Sequence, residues 1–285
     1  MRPDLSVVIV AYNSAHVIGD LLDSLPAALA GLSADVVVVD NSSADGTAEL
    51  VEARGSVHGA ARVVRSANVG FAGGINRGVH EAAPADAVLV LNPDVRLGAG
   101  AVPPLLAALR LPSTGVVAPR ILSEDGTLFP SLRREPSLAR AMGLNRTGSP
   151  LFSEYVAGGD DYSRPAVADW ALGAVLLFSR ACFDALGGWD ESYFLYSEET
   201  DFCLRARDSG FLTRYTPDSV AVHLGAGSGQ TSTTHAMQIL NRVRLYRRRH
   251  GVVQSAAYYA LTVVSEVSWV ARGAQKSHTS LEALL

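Results

Sequence analysis

The N-terminal part of the chain alternates between short apolar runs and segments whose apolar residues recur every three or four positions. The runs are Leu5–Val10, Asp35–Asp40, Ala61–Ser66 and Ala87–Leu91. Such continuous apolar runs are typical of strands covered on both faces of a sheet. The segment after the first run has helical spacing, and Ser14 is its predicted N-cap. Strands that alternate with helices predict a mainly parallel α/β sheet.

The second half of the chain has a different pattern. Residues 115–165 are rich in Pro, Gly, Ser and Arg and predict loops with short strands at no definite positions. A strand is predicted over Trp170–Arg180. A helix is predicted over Glu199–Gly210, with Gly210 as its C-cap. Two helical segments finish the chain, at about Thr234–His250 and Val252–Arg272.

Composition and charge exclude several classes of protein. Apolar residues make up 48% of the chain and charged residues 18%, which is enough for a sizeable core. The formal charge of −4 argues against a general nucleic-acid binder. Cys182 and Cys203 are too few for a disulfide framework and are predicted to be small buried residues, which fits a reducing compartment.

No targeting signal or membrane span is expected from the sequence. The N-terminus has no signal-peptide shape, and no segment reaches the ~20 apolar residues that a spanning helix needs. We therefore expect a cytoplasmic protein, with peripheral contact at the inner face of the membrane as an alternative.

Small and polar residues follow each of the predicted strands in the first half. They are Ala11, Tyr12, Asn13, Asp40, Asn41, Ser42, Asn68, Gly70, Gly73, Gly74, Asn92, Pro93 and Asp94. Each one alone is compatible with a turn or a cap. Together they predict a binding site, because ligands of open parallel sheets lie beyond the carboxyl ends of the strands.

The common phosphate-binding loops are missing from this sequence, so phosphate groups at such a site would have to be bound in another way. The first strand–helix turn reads AYNSAH and lacks the glycine-rich dinucleotide motif, and the chain has no Walker A sequence. A divalent cation on Asp94 is the expected alternative, since hard cations take oxygen ligands and bridge diphosphates.

An ordered set of motifs identifies a family. VVIVAYN, VVDNSSADGT, NVGFAGGINRG, LNPDV, GGWDESYFLYSEETDFCLRA and VHLGAGS occur in this order. Over residues 4–250 the chain resembles family-two inverting glycosyltransferases of the GT-A fold, and most of all their rhamnosyltransferase-like branch. The resemblance implies a Rossmann-like, mostly parallel sheet flanked by helices, with helices at the C-terminus. It also implies a GT-A domain over residues 1–233, with a nucleotide-sugar-binding half over 1–112 and an acceptor-binding, catalytic half over 113–233. A helical extension would cover 234–285.

The resemblance assigns the donor and metal sites. Ala11, Tyr12 and Asn13 would line the nucleoside pocket, Asp40 would accept a hydrogen bond from the imide N–H of uracil or thymine, and Asn68, Gly73 and Gly74 would let the backbone approach the donor. Asp94 would bind Mg²⁺ or Mn²⁺ under the diphosphate. The family's metal motif is commonly Asp-x-Asp, and here Asn92 takes the first position, where it can bind a ribose without adding charge. His223 is either a second metal ligand or a structural histidine.

The acidic residues Glu198, Glu199 and Asp201 allow two interpretations. They can simply favour the N-terminus of a helix, with Asp201 pairing with Arg205 one turn later. Alternatively, one carboxylate is the general base that deprotonates the acceptor hydroxyl. By motif position we predict Glu199 as the base, with Glu198 contributing to catalysis and acceptor use.

Two further groups of residues have open assignments. Trp170 and Trp189 are either core residues or walls of the acceptor pocket, with the pocket favoured for Trp189. The segment RVRLYRRRH contains five arginines over residues 242–249, which form either a solvated face or a contact with anionic lipid or an acceptor diphosphate. The apolar stretch after it fits an interfacial helix and a homodimer contact equally well.

The predicted function is metal-dependent, inverting transfer of a sugar from a nucleotide diphosphate to an acceptor hydroxyl. The branch favours dTDP-rhamnose as donor, although UDP-sugars fit Asp40 as well, and the acceptor is a glycan, a lipid-linked sugar or a small natural product. A sugar-phosphate nucleotidyltransferase would need a basic glycine-rich loop after the first strand, and AYNSAH offers none. A catalytically silent nucleotide-sugar binding module is the other alternative, and the combination of Asp94 with Glu198 and Glu199 argues against it.

Overall fold

The computed structural model describes residues 2–58, 61–144, 147, 149–225 and 231–285. Its strands are β1 (Leu5–Ala11), β2 (Ala34–Asp40), β3 (Ala61–Arg65), β4 (Ala87–Leu91), β5 (Val95–Leu97), β6 (Thr114–Leu122), β7 (Leu132–Arg133), β8 (Ala166–Ala168), β9 (Trp170–Ala171), β10 (Val175–Ser179) and β11 (Leu212–His223). Its helices are α1 (Ile18–Leu29), α2 (Thr47–His58), α3 (Gly70–Glu81), α4 (Val102–Leu109), α5 (Leu138–Ala141), α6 (Arg180–Leu186), α7 (Glu198–Asp208), α8 (Ser232–Arg249), α9 (Val252–Ala271) and α10 (Gln275–Leu284).

A mixed, mainly parallel sheet forms the centre of the molecule. Its strands run in the order β3-β2-β1-β4-β10-β6-β11-β5, and β8 pairs with β11. The four strands predicted in the first half are all present and pair in parallel. β10 is antiparallel to β4 and β6. Buried apolar side chains cover both faces of the sheet, which confirms the predicted α/β architecture flanked by helices.

Three local predictions need correction or completion. Ser14 does not cap α1 with its side chain: among the described residues, its carbonyl accepts the N–H groups of Val17 and Ile18 while its hydroxyl turns back to Tyr12. The strand predicted over Trp170–Arg180 is two strands, β9 and β10, separated by residues 172–174. Residues 226–228 of the motif VHLGAGS lie outside the described part of the chain.

The two cysteines are buried, as predicted. Cys182 and Cys203 are free thiols within the apolar layer on one face of the sheet. Burial raises the pKa of Cys182 to about 12 and that of Cys203 to about 11, so both thiols are protonated at neutral pH.

The arginines of α8 attach this helix to the α/β part of the chain. Arg249 forms ion pairs with Glu135 at 3.3 Å and Asp208 at 2.7 Å. Further contacts are made by Arg242 to Glu154, Arg248 to Asp190 and Arg244 to the carbonyl of Ser192. Most of these guanidinium groups are therefore engaged within the chain, which neither the solvated-face nor the anionic-contact interpretation of this segment had anticipated. Within the described ranges, no helix combines the length and apolarity needed to cross a membrane.

Candidate active site

A cleft of about 340 Å³ lies at the carboxyl ends of the parallel strands, where the sequence predicted a site. The predicted residues that line it are Ala11, Tyr12, Asn41, Asn68, Gly70, Asn92, Pro93, Asp94, Glu198, Glu199 and His223. The structure therefore brings the polar residues after β1 and β4 together with the acidic start of α7 and the end of β11. Its described lining does not include Asn13, Asp40, Gly73, Gly74, Trp170 or Trp189.

Asp40 is buried at the end of β2 with one oxygen atom unsatisfied. Its Oδ2 atom accepts the N–H of Ser43 at 3.2 Å, whereas its Oδ1 atom has no hydrogen-bond partner in the described part of the chain. The next residue, Asn41, lines the cleft and donates from Nδ2 to the carbonyl of Gly70 at 2.9 Å. A buried acceptor without a donor is costly, so Oδ1 is suited to an N–H group of a ligand.

Asn13 has a structural contact instead of a place in the lining. Its Oδ1 atom accepts the N–H of Ala44 at 2.8 Å, and its own N–H donates to Ser43 Oγ at 2.9 Å. These bonds join the loop after β1 to the loop after β2. Asn13 therefore shapes the loop that holds Tyr12 at the cleft, and its predicted contact with the nucleoside stays a prediction.

The glycines of α3 serve packing, with one exception. A Cβ atom on Gly74 would lie 2.6 Å from Val10, and one on Gly73 would lie 2.8 Å from Val69. Gly73 and Gly74 therefore allow close packing of α3, and the prediction that they let the backbone approach the donor stays a prediction. Gly70 does line the cleft, with φ at +78° and a position where a Cβ atom would lie 2.2 Å from the carbonyl oxygen of Phe194.

Asp94 and His223 lie next to each other where the end of β11 meets the start of β5. Asp94 immediately precedes β5, His223 ends β11, and these strands pair antiparallel. His223 Nε2 lies 3.3 Å from Asp94 Oδ1, and both side chains line the cleft. A carboxylate oxygen beside an imidazole nitrogen is a donor set that Mn²⁺ accepts.

These two side chains would leave most coordination positions of a cation open. Among the described residues, no cluster of three or more His, Cys, Asp or Glu side chains could hold a metal ion. A cation here would therefore take its remaining ligands from water or from the oxygen atoms of a bound diphosphate. The residues present fit such a shared site.

Glu198 is buried and Glu199 is half-buried at the start of α7. The preceding residues Tyr196 and Ser197 both have left-handed backbone angles, with φ of +69° and +73°. Such angles are strained for residues other than glycine and often occur at functional sites. Within the part of the chain that the structure describes, the Oε2 atoms of both glutamates lack a hydrogen-bond partner.

Burial changes the protonation of this pair. Desolvation and the charge of Glu199 raise the pKa of Glu198 well above its usual value. Burial also raises the pKa of Glu199, although the nearby Arg133 guanidinium opposes that rise. The two neighbouring carboxyl groups therefore tend to keep one proton between them. The larger rise in pKa places that proton on Glu198.

Asp201 has the structural role that the sequence allowed. It forms the predicted pair with Arg205, whose Nε atom lies 2.6 Å from Asp201 Oδ2. The other nitrogen atoms of Arg205 donate to the carbonyls of Leu186 and Gly188. The Asp201–Arg205 pair thus connects α7 to the end of α6.

The two tryptophans occupy different environments. Trp189 is only 2% exposed and stacks on Phe202 with ring centroids 4.6 Å apart. It is a core residue, which corrects its predicted place in the acceptor pocket. Trp170 is half-buried, donates from Nε1 to the carbonyl of Arg134 at 3.0 Å, and lines a small gap of about 50 Å³ next to Glu199.

Several residues of the site gave no recognisable signal in the sequence. Phe71, Phe194 and Tyr196 line the cleft, and Arg133 acts on Glu199 through its charge. Arg133 is buried with its guanidinium 3.9 Å from the centre of the Tyr155 ring. Phe194 and Tyr196 belong to the motif GGWDESYFLYSEETDFCLRA, and the position of FLY directly before the acidic residues is the one signal that could have drawn attention to them.

Comparison with known proteins connects this cleft to a family. The profile of Glycosyl transferase family 2 matches residues 6–158. The N-acetylglucosaminyl-diphospho-decaprenol L-rhamnosyltransferase of Mycobacterium tuberculosis is 32% identical over 252 residues, which cover 82% of this chain and 81% of that protein. The low-salt glycan biosynthesis hexosyltransferase Agl10 of Haloferax volcanii is 30% identical over 213 residues, which cover 73% of this chain and 62% of that protein.

Solved structures of low sequence identity share the fold. The mannosyltransferase PcManGT from Pyrobaculum calidifontis, in complex with GDP-Man and Mn²⁺, has a TM-score of 0.62 at 17% identity and covers 99% of this chain and 79% of its own. GalNAc-T7 with UDP, GalNAc and Mn²⁺ has a TM-score of 0.65 at 16% identity and covers 99% of this chain and 56% of its own. These similarities confirm the predicted GT-A fold.

Proposed function

We propose, from the premise that this chain belongs to glycosyl transferase family 2 and is a glycosyltransferase, that it transfers rhamnose from dTDP-rhamnose to a lipid-linked diphosphate sugar. The carboxylates of Glu198 and Glu199 support this proposal most directly. Both have an unsatisfied oxygen among the described atoms, and both line the cleft that Asp94 and His223 also line. The sugar and the acceptor class follow the name of the M. tuberculosis relative, which is similar over most of both chains. The dTDP carrier follows the resemblance to the rhamnosyltransferase-like branch.

Donor binding is assigned to residues of the parallel strands. Ala11 and Tyr12 would contact the nucleoside, and the unsatisfied Oδ1 atom of Asp40 would accept the imide N–H of thymine or uracil. Asp94 and His223 would hold Mg²⁺ or Mn²⁺. When bound, a divalent cation supplies positive charge that stabilises the departing diphosphate. The presence of Mn²⁺ in PcManGT and GalNAc-T7 supports this assignment.

The transfer is proposed as a single displacement. The acceptor hydroxyl oxygen forms a bond to the anomeric carbon on the face opposite the diphosphate. The bond between that carbon and the diphosphate oxygen breaks, and its electron pair leaves with the nucleoside diphosphate. The hydroxyl proton passes to the carboxylate of Glu199, whose raised pKa suits a general base. Glu198 would keep its own proton and position the acceptor by donating a hydrogen bond, and the anomeric configuration is inverted.

A silent nucleotide-sugar binding module is the alternative that the site disfavours. Such a module has no use for two coupled carboxyl groups that cost stability where they are buried. The deciding experiment incubates the protein with dTDP-rhamnose, Mn²⁺ and N-acetylglucosaminyl diphosphate on a short prenyl chain. Proton NMR should show a rhamnosylated product of inverted anomeric configuration, and UDP-sugars serve as the comparison. A product of retained configuration would contradict the single displacement.

We further propose that α9 lies on an anionic membrane surface. Val253, Val264 and Val267 follow one another at helical spacing and are 84%, 65% and 48% exposed. Between His250 and Gly273 the one acidic residue is Glu266, and it is buried on the other side of the helix. Arg272, the exposed residue that follows α9, adds a positive charge at the C-terminal end of the helix. An apolar helix face with a cation at its end and without exposed acids is suited to a surface of acidic lipids.

A further inference from the structure

A turn of four residues, 194–197, immediately precedes the acidic start of α7. Phe194, Leu195 and Tyr196 line the cleft, and the two glutamates of the proposed active site follow as the first residues of the helix. Because the chain is continuous here, the backbone of the turn sets the position from which both carboxyl groups reach the cleft.

Two successive residues of this turn have backbone angles that are unfavourable for them. The angle φ is +69° at Tyr196 and +73° at Ser197. Left-handed angles crowd the Cβ atom of any residue except glycine. Ser197 is also the N-cap residue of α7, and its side chain makes no capping hydrogen bond. The turn therefore depends on contacts from elsewhere in the chain to keep this conformation.

The side chain of Asn241 supplies such a contact from α8. Its Nδ2 atom donates to the carbonyl of Leu195 at 2.9 Å and to that of Tyr196 at 3.2 Å. One amide group thus binds two successive carbonyls in the middle of the turn. Asn241 and Tyr196 are 45 residues apart in the chain, so sequence patterns gave no indication of this contact.

The carbonyls at the two ends of the turn are bound by backbone groups instead. The carbonyl of Phe194 accepts the N–H of Phe71 at 2.9 Å. The carbonyl of Ser197 accepts the N–H of Asp201 at 2.8 Å. Neither bond involves the side chain of Asn241, so a substitution of this one residue would release only the middle of the turn.

Two arginines of α8 attach this helix to the segment before the turn. Arg244 donates to the carbonyl of Ser192 at 2.6 Å. Arg248 forms an ion pair with Asp190. Both guanidinium groups lie over the ring of the buried Tyr193, at 5.3 and 5.1 Å from its centre. The arginines follow the asparagine by three and seven residues, which places all three side chains on one face of α8 and holds the amide beside the turn.

We infer that Asn241 is a positioning residue of this enzyme, whose amide holds the 194–197 turn so that Glu198 and Glu199 face the cleft. Asn241 does not belong to the described lining of the cleft, so it acts through the turn. This inference rests on the proposed transfer with Glu199 as the base. Because a displacement of about 1 Å can cost roughly 10²-fold in rate, loss of the contact should affect turnover more than binding.

The test replaces Asn241 by leucine, which has a similar volume and no hydrogen-bond donor. The reaction is transfer from dTDP-rhamnose to N-acetylglucosaminyl diphosphate on a short prenyl chain, followed by steady-state kinetics. Asn241→Leu should lower kcat by roughly 10²-fold, because the turn no longer holds the base in place. Affinity for dTDP with Mn²⁺, measured by calorimetry, should stay within about threefold, since the nucleotide is assigned to residues outside the turn.

A second substitution separates positioning of the turn from general support of the fold. Glycine adopts a positive φ without strain, so Ser197→Gly added to Asn241→Leu should restore kcat by roughly five- to tenfold. Ser209→Gly is the matched control, because Ser209 follows the other end of α7 with φ at −92°, where glycine relieves no strain. Added to Asn241→Leu, it should restore kcat by less than about twofold.

Arg247→Leu places the same leucine on an exposed position of α8 and should leave kcat within about twofold of the unaltered protein. An unchanged kcat in Asn241→Leu would overturn the inference and leave the proposed function intact. Equal effects of Ser197→Gly and Ser209→Gly would also overturn it, as would loss of dTDP binding together with turnover, because Asn241 would then support the fold as a whole. If the unaltered protein neither binds dTDP nor forms product, the proposed function itself fails.

Discussion

His223 Nε2 lies 3.3 Å from Asp94 Oδ1, although the two residues come from distant parts of the sequence. The pairing of β11 with β5 brings them together, since the end of one strand meets the start of the other. The backbone N–H of Leu224 also donates to the carbonyl of Asp94 at 3.0 Å, so the contact is supported on the main chain. A carboxylate and an imidazole fixed in this way would be preorganised for the cation that we propose they share.

The first prediction is that nucleotide affinity depends on metal through Asp94. Asp94→Asn keeps the shape of the side chain but removes its charge, so affinity for dTDP in the presence of Mn²⁺ should fall by roughly tenfold or more. It should then equal the affinity measured with a chelator. Calorimetry with and without Mn²⁺ provides the measurement. Asp125→Asn is the control, because Asp125 is exposed in a turn and makes its hydrogen bonds to Thr127. Undiminished metal dependence in the Asp94 variant would remove the metal site.

The strands and the cleft were largely predictable, because their signals are local. The apolar runs of β1, β2 and β4 are long enough to define buried strands, and the polar residues after β1 and β4 line the cleft as expected. The long strand β6 was missed because Gly115, Pro119 and Arg120 interrupt its apolar pattern. The strand forms because it pairs along its length with β11, a distant segment of the chain. The register of that pairing shifts next to Pro119.

Packing determines the contacts that the sequence could not predict. Trp189 and Gly74 have the residue types of a binding site, yet neighbouring side chains bury one and crowd the other. The arginines of α8 similarly look like a surface patch in the sequence, and only the fold provides the acidic residues that pair with them. Such contacts join residues far apart in the chain, so their spacing in the sequence carries no signal.

The second prediction is that Asp40 determines which nucleobase the donor site accepts. One oxygen of Asp40 must accept the N–H of Ser43, so in Asp40→Asn the amide oxygen stays there and the NH₂ group replaces the unsatisfied Oδ1. That NH₂ group would face the imide N–H of uracil or thymine, and affinity for UDP and dTDP should fall roughly tenfold. Affinity for CDP should rise, because N3 of cytosine is an acceptor.

Competition binding with UDP, dTDP, CDP and GDP measures this selection. The unaltered protein should prefer UDP and dTDP, and the Asp40 variant should gain relative preference for CDP. Tight binding of GDP to the unaltered protein would show that the nucleoside pocket is assigned incorrectly.

The third prediction is that replacing Glu198, a residue of the proposed active site, increases the free energy of unfolding. The pKa of Glu198 is raised in the folded protein by burial and by the charge of Glu199. The folded state therefore binds more protons than the unfolded state between the two pKa values, and stability falls as the pH rises through the folded pKa. Glu198→Gln removes this loss, so the variant should be more stable than the unaltered protein at pH 8.

Urea unfolding between pH 4 and pH 8 tests this difference in the free energy of unfolding. The two proteins should become similar near pH 4, below the ordinary pKa of glutamate, where the unaltered carboxyl is protonated in both states. A stability difference that is independent of pH would show that Glu198 is not buried with a raised pKa.

The fourth prediction concerns the exposed face of α9. The double variant Val264→Glu with Val267→Glu should reduce co-sedimentation with vesicles rich in phosphatidylglycerol by roughly tenfold or more, since burial of one valine contributes about 1.5–3 kcal/mol. Binding of the unaltered protein should weaken with salt, because the charge of Arg272 at the end of α9 is screened. Leu111→Glu is the matched control, an exposed apolar residue next to α4. If the double variant instead changes the mass measured by light scattering and leaves vesicle binding intact, a second copy of the chain covers this face.

The last prediction identifies the general base. Glu199 lines both the donor cleft and the gap, and Arg133 counteracts the rise in its pKa, so it is the better proton acceptor of the coupled pair. Glu199→Gln keeps the shape but cannot accept the proton, and it should lower turnover by roughly 10²–10⁴-fold with unchanged donor affinity. Glu198→Gln can still donate a hydrogen bond and should raise the KM for the acceptor more than it lowers kcat. Side-by-side kinetics with the prenyl diphosphate acceptor measures both, and Asp201→Asn serves as the structural comparison because its carboxylate is committed to Arg205. Turnover near that of the unaltered protein in the Glu199 variant would transfer the role to Glu198, since the two carboxyl groups share one buried site and only one of them needs to be ionised when the acceptor attacks.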